Sequence, residues 1–426
     1  MPTQHCRSRD PWSRFARHIL PRPRDCFESR QRGHASLEWH DHDQDQGAIF
    51  RSALTVCGHS SRGDMDRRTM LIGAGAAFVT AGSGMIGWHA AAGSMADYDR
   101  YAARLRGSLA PPDLQAIVRY ATLAASGHNT QPWRFRLDRE AIEIRPDFGR
   151  RTPVVDPDDH HLYVSLGCAA ANLALAAAAT GRSGELSIAA DGRAVRYDYA
   201  SGVPRWDALF DAIPKRQCTR AEYDGRAVPA ADLAEIERAV ATPGVSLALI
   251  TDRARMNRVR DLVLAGNEDQ MRDPAFMREL VQWIRFNPRS AMATGDGLFS
   301  AASGNPVLPS GLGRFAFDRL FNVGQENRKY ARQIDSSAGI AIFFGERADP
   351  GHWIRIGQAC QRFALAATHL GLKIAFINQP VEVNRLRADL AAVVGETRRP
   401  DLVMRFGYGP ALPLSPRRPA ASVMQP

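Results

Sequence analysis

The strongest local string in this chain is Ser126-Gly127-His128-Asn129-Thr130-Gln131-Pro132-Trp133, which joins a helix end to a strand. Small and amide residues at such a junction can aim backbone and side-chain hydrogen-bonding groups into a cleft. Asn129 and Gln131 each offer a donor and an acceptor, which suits a ligand with a heteroaromatic edge. A capping turn is the competing use of the same residues. Asp158-Asp159-His160-His161 has the residue types of a metal site. Neighbours on one strand or loop rarely converge on one ion, so a surface turn and no metal are expected there. The six cysteines include no CxxC pair, which argues against a zinc site or a disulfide framework. Gly311-Leu312-Gly313-Arg314-Phe315-Ala316 mimics a dinucleotide loop, but prolines precede it and no strand does.

The elements that must hold these groups are legible in outline. Asp113 is an N-cap for a helix whose apolar stripe is Leu114, Ile117, Val118 and Ala121, with Gly127 as its stop. Trp133, Phe135 and Leu137 alternate with arginines, giving a strand, and Ile142 and Ile144 continue a second. Further strands are read near 186–189, 195–199, 245–250, 339–345, 373–377 and 402–406, and helices near 206–212 and 231–240. Mixed strands and helices with antiparallel signals indicate an α+β fold. One helix is written twice. Gly167 to Gly181 reads GCAAANLALAAAATG and Gly357 to Gly371 reads GQACQRFALAATHLG. Matching glycines at matching separation suggest an internal duplication, the product of a fused, pseudo-symmetric dimer. Residues 265–335, rich in Gly, Pro and aromatics, read as a loop-rich, lid-like insertion.

The 426 residues carry a net charge of +10, but only three lysines, Lys215, Lys329 and Lys373. The arginines are spread among carboxylates, so no nucleic-acid partner is expected. Residues 1–64 lack periodicity and read as a disordered or mis-assigned leader. From Met65 the chain reads MDRRTMLIGAGAAFVTAGSGMIGWHAAAG, where Arg67–Arg68 and a short apolar stretch resemble a twin-arginine export signal spanning 65–94. The expected partner is then the twin-arginine translocase, with export to the periplasm or cell envelope, or a cytoplasmic protein if the signal is unused.

The 126–133 string resembles the S-x-x-N-x-Q-P-W segment of the nitroreductase family of flavin mononucleotide (FMN) enzymes. Arg216-Gln217-Cys218-Thr219-Arg220 is similar to that family's R-x-S-x-R element. Arg405-Phe406-Gly407-Tyr408-Gly409, then Ser415-Pro416-Arg417-Arg418-Pro419, resemble its terminal G-Y strand and basic phosphate ligands. The likeness runs over about 110–420. One motif set split between halves 95–202 and 203–426 resembles the fused, Acg-type layout. The resemblance implies a nitroreductase-like fold duplicated in one chain, a monomer acting as a pseudodimer, and one flavin site. It places Ser126, Asn129 and Gln131 at the isoalloxazine ring and ribityl chain, and Arg216, Cys218, Arg220, Arg417 and Arg418 at the phosphate. Arginine forks suit a phosphate dianion in a partly dry cleft. Phe376 to Gln379 would pass near the ring, without the family's Glu-Gly. Ala125 stands where the family has Pro, and Cys218 replaces a hydroxyl residue. The implied activity is NAD(P)H-dependent reduction of a small acceptor such as a nitro compound or quinone. No catalytic side chain is named. The alternative is an FMN-sequestering stress protein with an occluded flavin.

Overall fold

The computed structural model describes residues 87–425 apart from His89, Ala110 and Pro111. The leader at 1–64 and the twin-arginine segment as far as residue 86 lie outside the described residues.

The first part begins with helices α1 (Met95–Leu105) and α2 (Leu114–Ala121). Asp113 caps α2 by accepting from Ala116 N at 2.7 Å. This helix ends at Ala121, six residues before the expected stop at Gly127. Strands β1 (Trp133–Leu137) and β2 (Ala141–Pro146) form a hairpin. Helix α3 (His160–Ala179) follows, then β3 (Gly184–Ile188) and β4 (Val195–Tyr199). Short α4 (Ala208–Ala212) and α5 (Ala230–Val240) lead to β5 (Val245–Ile250). The second part closes with β8 (Gly339–Gly345), α11 (Pro350–His369), β9 (Lys373–Phe376), α12 (Gln379–Glu382), α13 (Arg387–Ala392), β10 (Pro400–Gly407) and the two-residue β11 (Met424–Gln425).

Both parts share one connectivity. The first sheet runs β1-β2-β4-β3 and the second β5-β8-β10-β9, every neighbour antiparallel. A long helix leaves the second strand of each and returns to the third. β11 adds a parallel strand beside β1, so the C-terminal tail closes the first sheet.

Helices α3 and α11 are the repeated pair, and they cross at equivalent residues. A Cβ on Gly167 would sit 1.9 Å from Ile354 O, and one on Gly357 would sit 2.0 Å from Val164 O. Each contact is thus the mirror of the other, as at a two-fold interface. The C-terminal ends match too. Gly181 (φ 78°) and Gly371 (φ 77°) take left-handed backbone. Arg182 N then bonds Ala177 O, and Leu372 N bonds Ala367 O, both at 2.8 Å.

The segment between β5 and β8 occupies the place of the three-residue β1–β2 turn. It is largely helical, which corrects the loop-rich reading of 265–335. It holds α6 (Arg253–Arg272), α7 (Pro274–Trp283), β6 (Ile284–Arg285), α8 (Pro288–Thr294), β7 (Leu298–Phe299), α9 (Ser310–Leu320) and α10 (Val323–Asp335). Asp252, Asp273, Asn287 and Asn322 each cap one of these helices, a signal masked by the surrounding Gly and Pro. The dinucleotide-like Gly311–Ala316 string lies inside α9.

Candidate functional site

The 126–133 string makes a tight turn with left-handed backbone at three non-glycine residues, His128 (φ 44°), Asn129 (φ 54°) and Gln131 (φ 53°). Such backbone costs energy and needs surrounding contacts to hold it. The amides supply them. Asn129 Nδ2 donates to Gly297 O (3.0 Å) and Pro416 O (3.1 Å), while its Oδ1 accepts from Arg417 Nη1 (2.8 Å). Gln131 Nε2 donates to Gly295 O (2.8 Å), and its Oε1 accepts from Arg418 N (2.9 Å). Arg418 Nη1 returns to Gln131 O at 3.2 Å. Asn129, Gln131, Arg417 and Arg418 therefore knit the turn to the insertion and the tail. The side-chain amides of Asn129 and Gln131, which the resemblance places at the ring, are here committed to protein groups, and neither residue lines the cavity beside the turn.

A cavity of about 1510 Å³, counting its mouth, opens beside this turn. Ser126 and His128 line it from the turn, Arg220 from the R-x-C-x-R segment, and Phe376, Asn378 and Gln379 from the β9–α12 junction. Arg216 and Cys218 sit behind the wall. Arg216 is 4% exposed and donates to Leu123 O (3.1 Å) and, at 3.9 Å, to Cys218 Sγ. Thr219 N bonds Ile374 O, and Arg405 grips Thr219 O and Ala221 O from below, which fixes the loop carrying Arg220.

The sequence reading missed most of the lining. Asn267 and Gln270 come from α6, and Lys329 and Tyr330 from α10. The i, i+3 spacing of Asn267 and Gln270 and the rarity of lysine were the available signals. His161 and Glu382 complete the opposite side. His160 and His161 are buried at the start of α3, not on a surface turn. Asp156 accepts from His161 N and Leu162 N, both at 3.0 Å, so its carboxylate caps the helix.

Two groups here have displaced acidities. Burial, then the charge of Asp156, push Glu382 up to about 7, against a hydrogen bond from Gln270 and the charge of Arg387. Burial, then His160 and nearby arginines, hold His161 well below its usual value. A carboxyl raised in the folded state stabilises below its unfolded pKa and loses that contribution as pH rises through about 7. Glu382→Gln is therefore expected to match the wild type near pH 4.5. Above pH 7 it should exceed it by on the order of 2 kcal/mol. Denaturant unfolding across pH 4.5–8 checks this, and a pH-independent gap contradicts it.

No family model matches the chain. "Putative NAD(P)H nitroreductase Rv3131" of Mycobacterium tuberculosis is 29% identical over 334 residues, covering 74% of this chain and 92% of that protein. "Putative NAD(P)H nitroreductase acg" of the same organism is 24% identical over 326 residues, covering 73% of this chain and 94% of that protein. Among solved structures, the FMN-dependent nitroreductase NfnB from Mycobacterium smegmatis covers 47% of this chain and 87% of its own, at 16% identity and a TM-score of 0.33. A nitroreductase with bound FMN from Bacteroides fragilis covers 48% and 89%, at 16% and 0.29. These relatives align over nearly their whole length, and the chain carries its three motifs in an order that resembles the nitroreductase family.

Proposed function

We propose that this protein is an FMN-binding oxidoreductase that takes reducing equivalents from NAD(P)H and reduces a small acceptor such as a nitro compound or a quinone. The observation that carries the reading is the cavity itself. It is bounded by the 126–128 turn of the first half, by Arg220 of the second, and by Phe376–Gln379 where the family places its ring contacts. The residues present fit the cofactor. Arg216 Nε and Arg417 Nε are buried without partners, so donors stand ready near the cavity, and His128 Nδ1 is a further buried polar atom without a partner. When bound, the flavin supplies the two-electron chemistry. The chain's own groups bind and enclose it. Arg220 places a cation at the wall, Asn267 and Gln270 offer amides from α6, and α10 of the insertion adds Lys329 and Tyr330 to the enclosure. We infer further that the two halves are a fused pair related by a pseudo-two-fold axis at Gly167 and Gly357.

The deciding experiment identifies and quantifies flavin in the purified protein, then adds NADPH and NADH without oxygen. Bound FMN that bleaches is the expected result. Absence of flavin overturns the cofactor assignment. FMN that stays oxidised favours the sequestering alternative, which gains weight from the share of the wall built by α6 and α10.

Export through the twin-arginine pathway is part of the proposal, resting on Arg67–Arg68 and the apolar stretch after it. Replacing both arginines by lysine should leave the protein in the cytoplasm. Unchanged fractionation would remove the signal from the account. Nicotinamide cofactors are scarce outside the cytoplasm, so an exported enzyme would need another donor there.

A further inference from the structure

Resting on the flavin reading above, we propose that Arg106 completes a three-arginine pocket with Arg216 and Arg417 for a phosphate monoester, which makes α1 part of the cofactor site. Helix α1 precedes the region that carries the family motifs, yet it is bolted to the C-terminal tail. Tyr98 Oη donates to Leu414 O and Tyr101 Oη to Arg417 O, both at 2.6 Å. Arg106, just beyond the helix, donates to Ala102 O (3.2 Å) and Ser415 O (2.9 Å). Arg216 Nη2 and Arg417 Nη2 share one acceptor, Leu123 O, each at 3.1 Å. Two guanidiniums on one carbonyl oxygen stand no farther apart than twice that distance.

Every oxygen these three side chains touch is neutral. Arg417, 3% exposed, meets the carbonyls of Leu123, Ala124 and Pro416 and the amide of Asn129. Among the described residues no carboxylate pairs with Arg106, Arg216 or Arg417, whereas Arg285 and Arg150 pair with Asp296. The ionisable neighbours are Tyr98, Tyr101 and Cys218. Burial raises both phenols, so they carry no compensating charge. Burial and the charges of Arg106 and Arg216 lower Arg417 strongly. An arginine nevertheless stays protonated in a protein, so the cost persists until an anion arrives. Arg216 and Arg417 are buried, and neighbouring buried cations without a counter-ion are unfavourable. Nε of Arg216 and of Arg417 have no partner. Leu123 and Ala124 directly precede Ala125, which lines the cavity. None of the three arginines lines the cavity itself, so a phosphate dianion held here would sit just behind the wall at Ala125, with the rest of the molecule inside the cavity.

The test uses the full chain, freed of flavin, as wild type and Arg106→Gln. A charge-assisted hydrogen bond is worth about tenfold or more in affinity. Arg106→Gln should therefore weaken FMN at least about tenfold and leave riboflavin within about twofold. If FMN and riboflavin change in step, or neither changes, Arg106 serves only the fold and the proposal fails. Should Arg106→Gln not fold, Arg106→Lys keeps the charge but loses the fork, and the same FMN-to-riboflavin ratio decides. Inorganic phosphate separates this from the flavin reading. A rise in Tm with phosphate in the wild type, absent in Arg106→Gln, sustains the pocket even if no flavin binds. No phosphate effect in either protein overturns it.

Discussion

Gly167→Ala is expected to be among the most damaging single substitutions in this protein. The added methyl would lie 1.9 Å from Ile354 O and 2.9 Å from Gly357 Cα, all on rigid helical backbone. No rotamer relieves a Cβ clash, so α3 and α11 must separate and lose packing along both helices. Overpacking of this kind costs about 3 kcal/mol or more. Gly357→Ala meets Val164 O at 2.0 Å and should cost a similar amount. The double variant should cost clearly less than the two singles combined, because helices already parted by one methyl admit the second. Gly311→Ala, with nothing within 4 Å of its Cβ inside α9, is the control and should be neutral or mildly stabilising. Denaturant unfolding of the four proteins checks the set. Additive or small losses at the crossing would mean that the helices are not tightly joined there.

That crossing also explains why so much of the fold was legible. Glycines 190 residues apart, with Ala-rich helices behind them, are what two backbones in contact require, and each also ends in a left-handed glycine. Alternation gave β1, and the continuous apolar run at 339–345 gave β8, all of whose residues are buried. The insertion was harder. Its helices bury narrow stripes, with Met256, Val259 and Val263 serving α6, and glycines at loop positions obscured the pattern. The site was partly legible for a different reason. Residue type gave Ser126 and Arg220, which reach the cavity, but could not give direction. Asn129 and Gln131 do not line the cavity, since their side chains bond to backbone more than 160 residues distant. Glu382 and His161 meet only through tertiary packing, 3.6 Å apart.

Asn129→Ala tests what that left-handed turn is for. The side chain joins three segments far apart in sequence: its own turn, Gly297 of the insertion and Pro416 of the tail. Its Oδ1 also orients Arg417. Truncation leaves the Gly297 carbonyl and one guanidinium N–H without partners, while Pro416 O keeps Arg417 Nη1, and each such loss costs about 1–3 kcal/mol. It also relaxes the support for positive φ at 128, 129 and 131. A total of about 2–4 kcal/mol is expected, with water admitted to some of the freed groups. The loss should be local before it is global. Hydrogen exchange ought to quicken at 295–300 and 414–419 while β8 and β10, buried along their length, stay protected. FMN affinity should fall with it, since Arg417 loses the contact that holds its fork. If exchange were unchanged at both segments and affinity fell alone, Asn129 would be reaching the ligand directly, and the inward-facing role implied by the family motif would be restored.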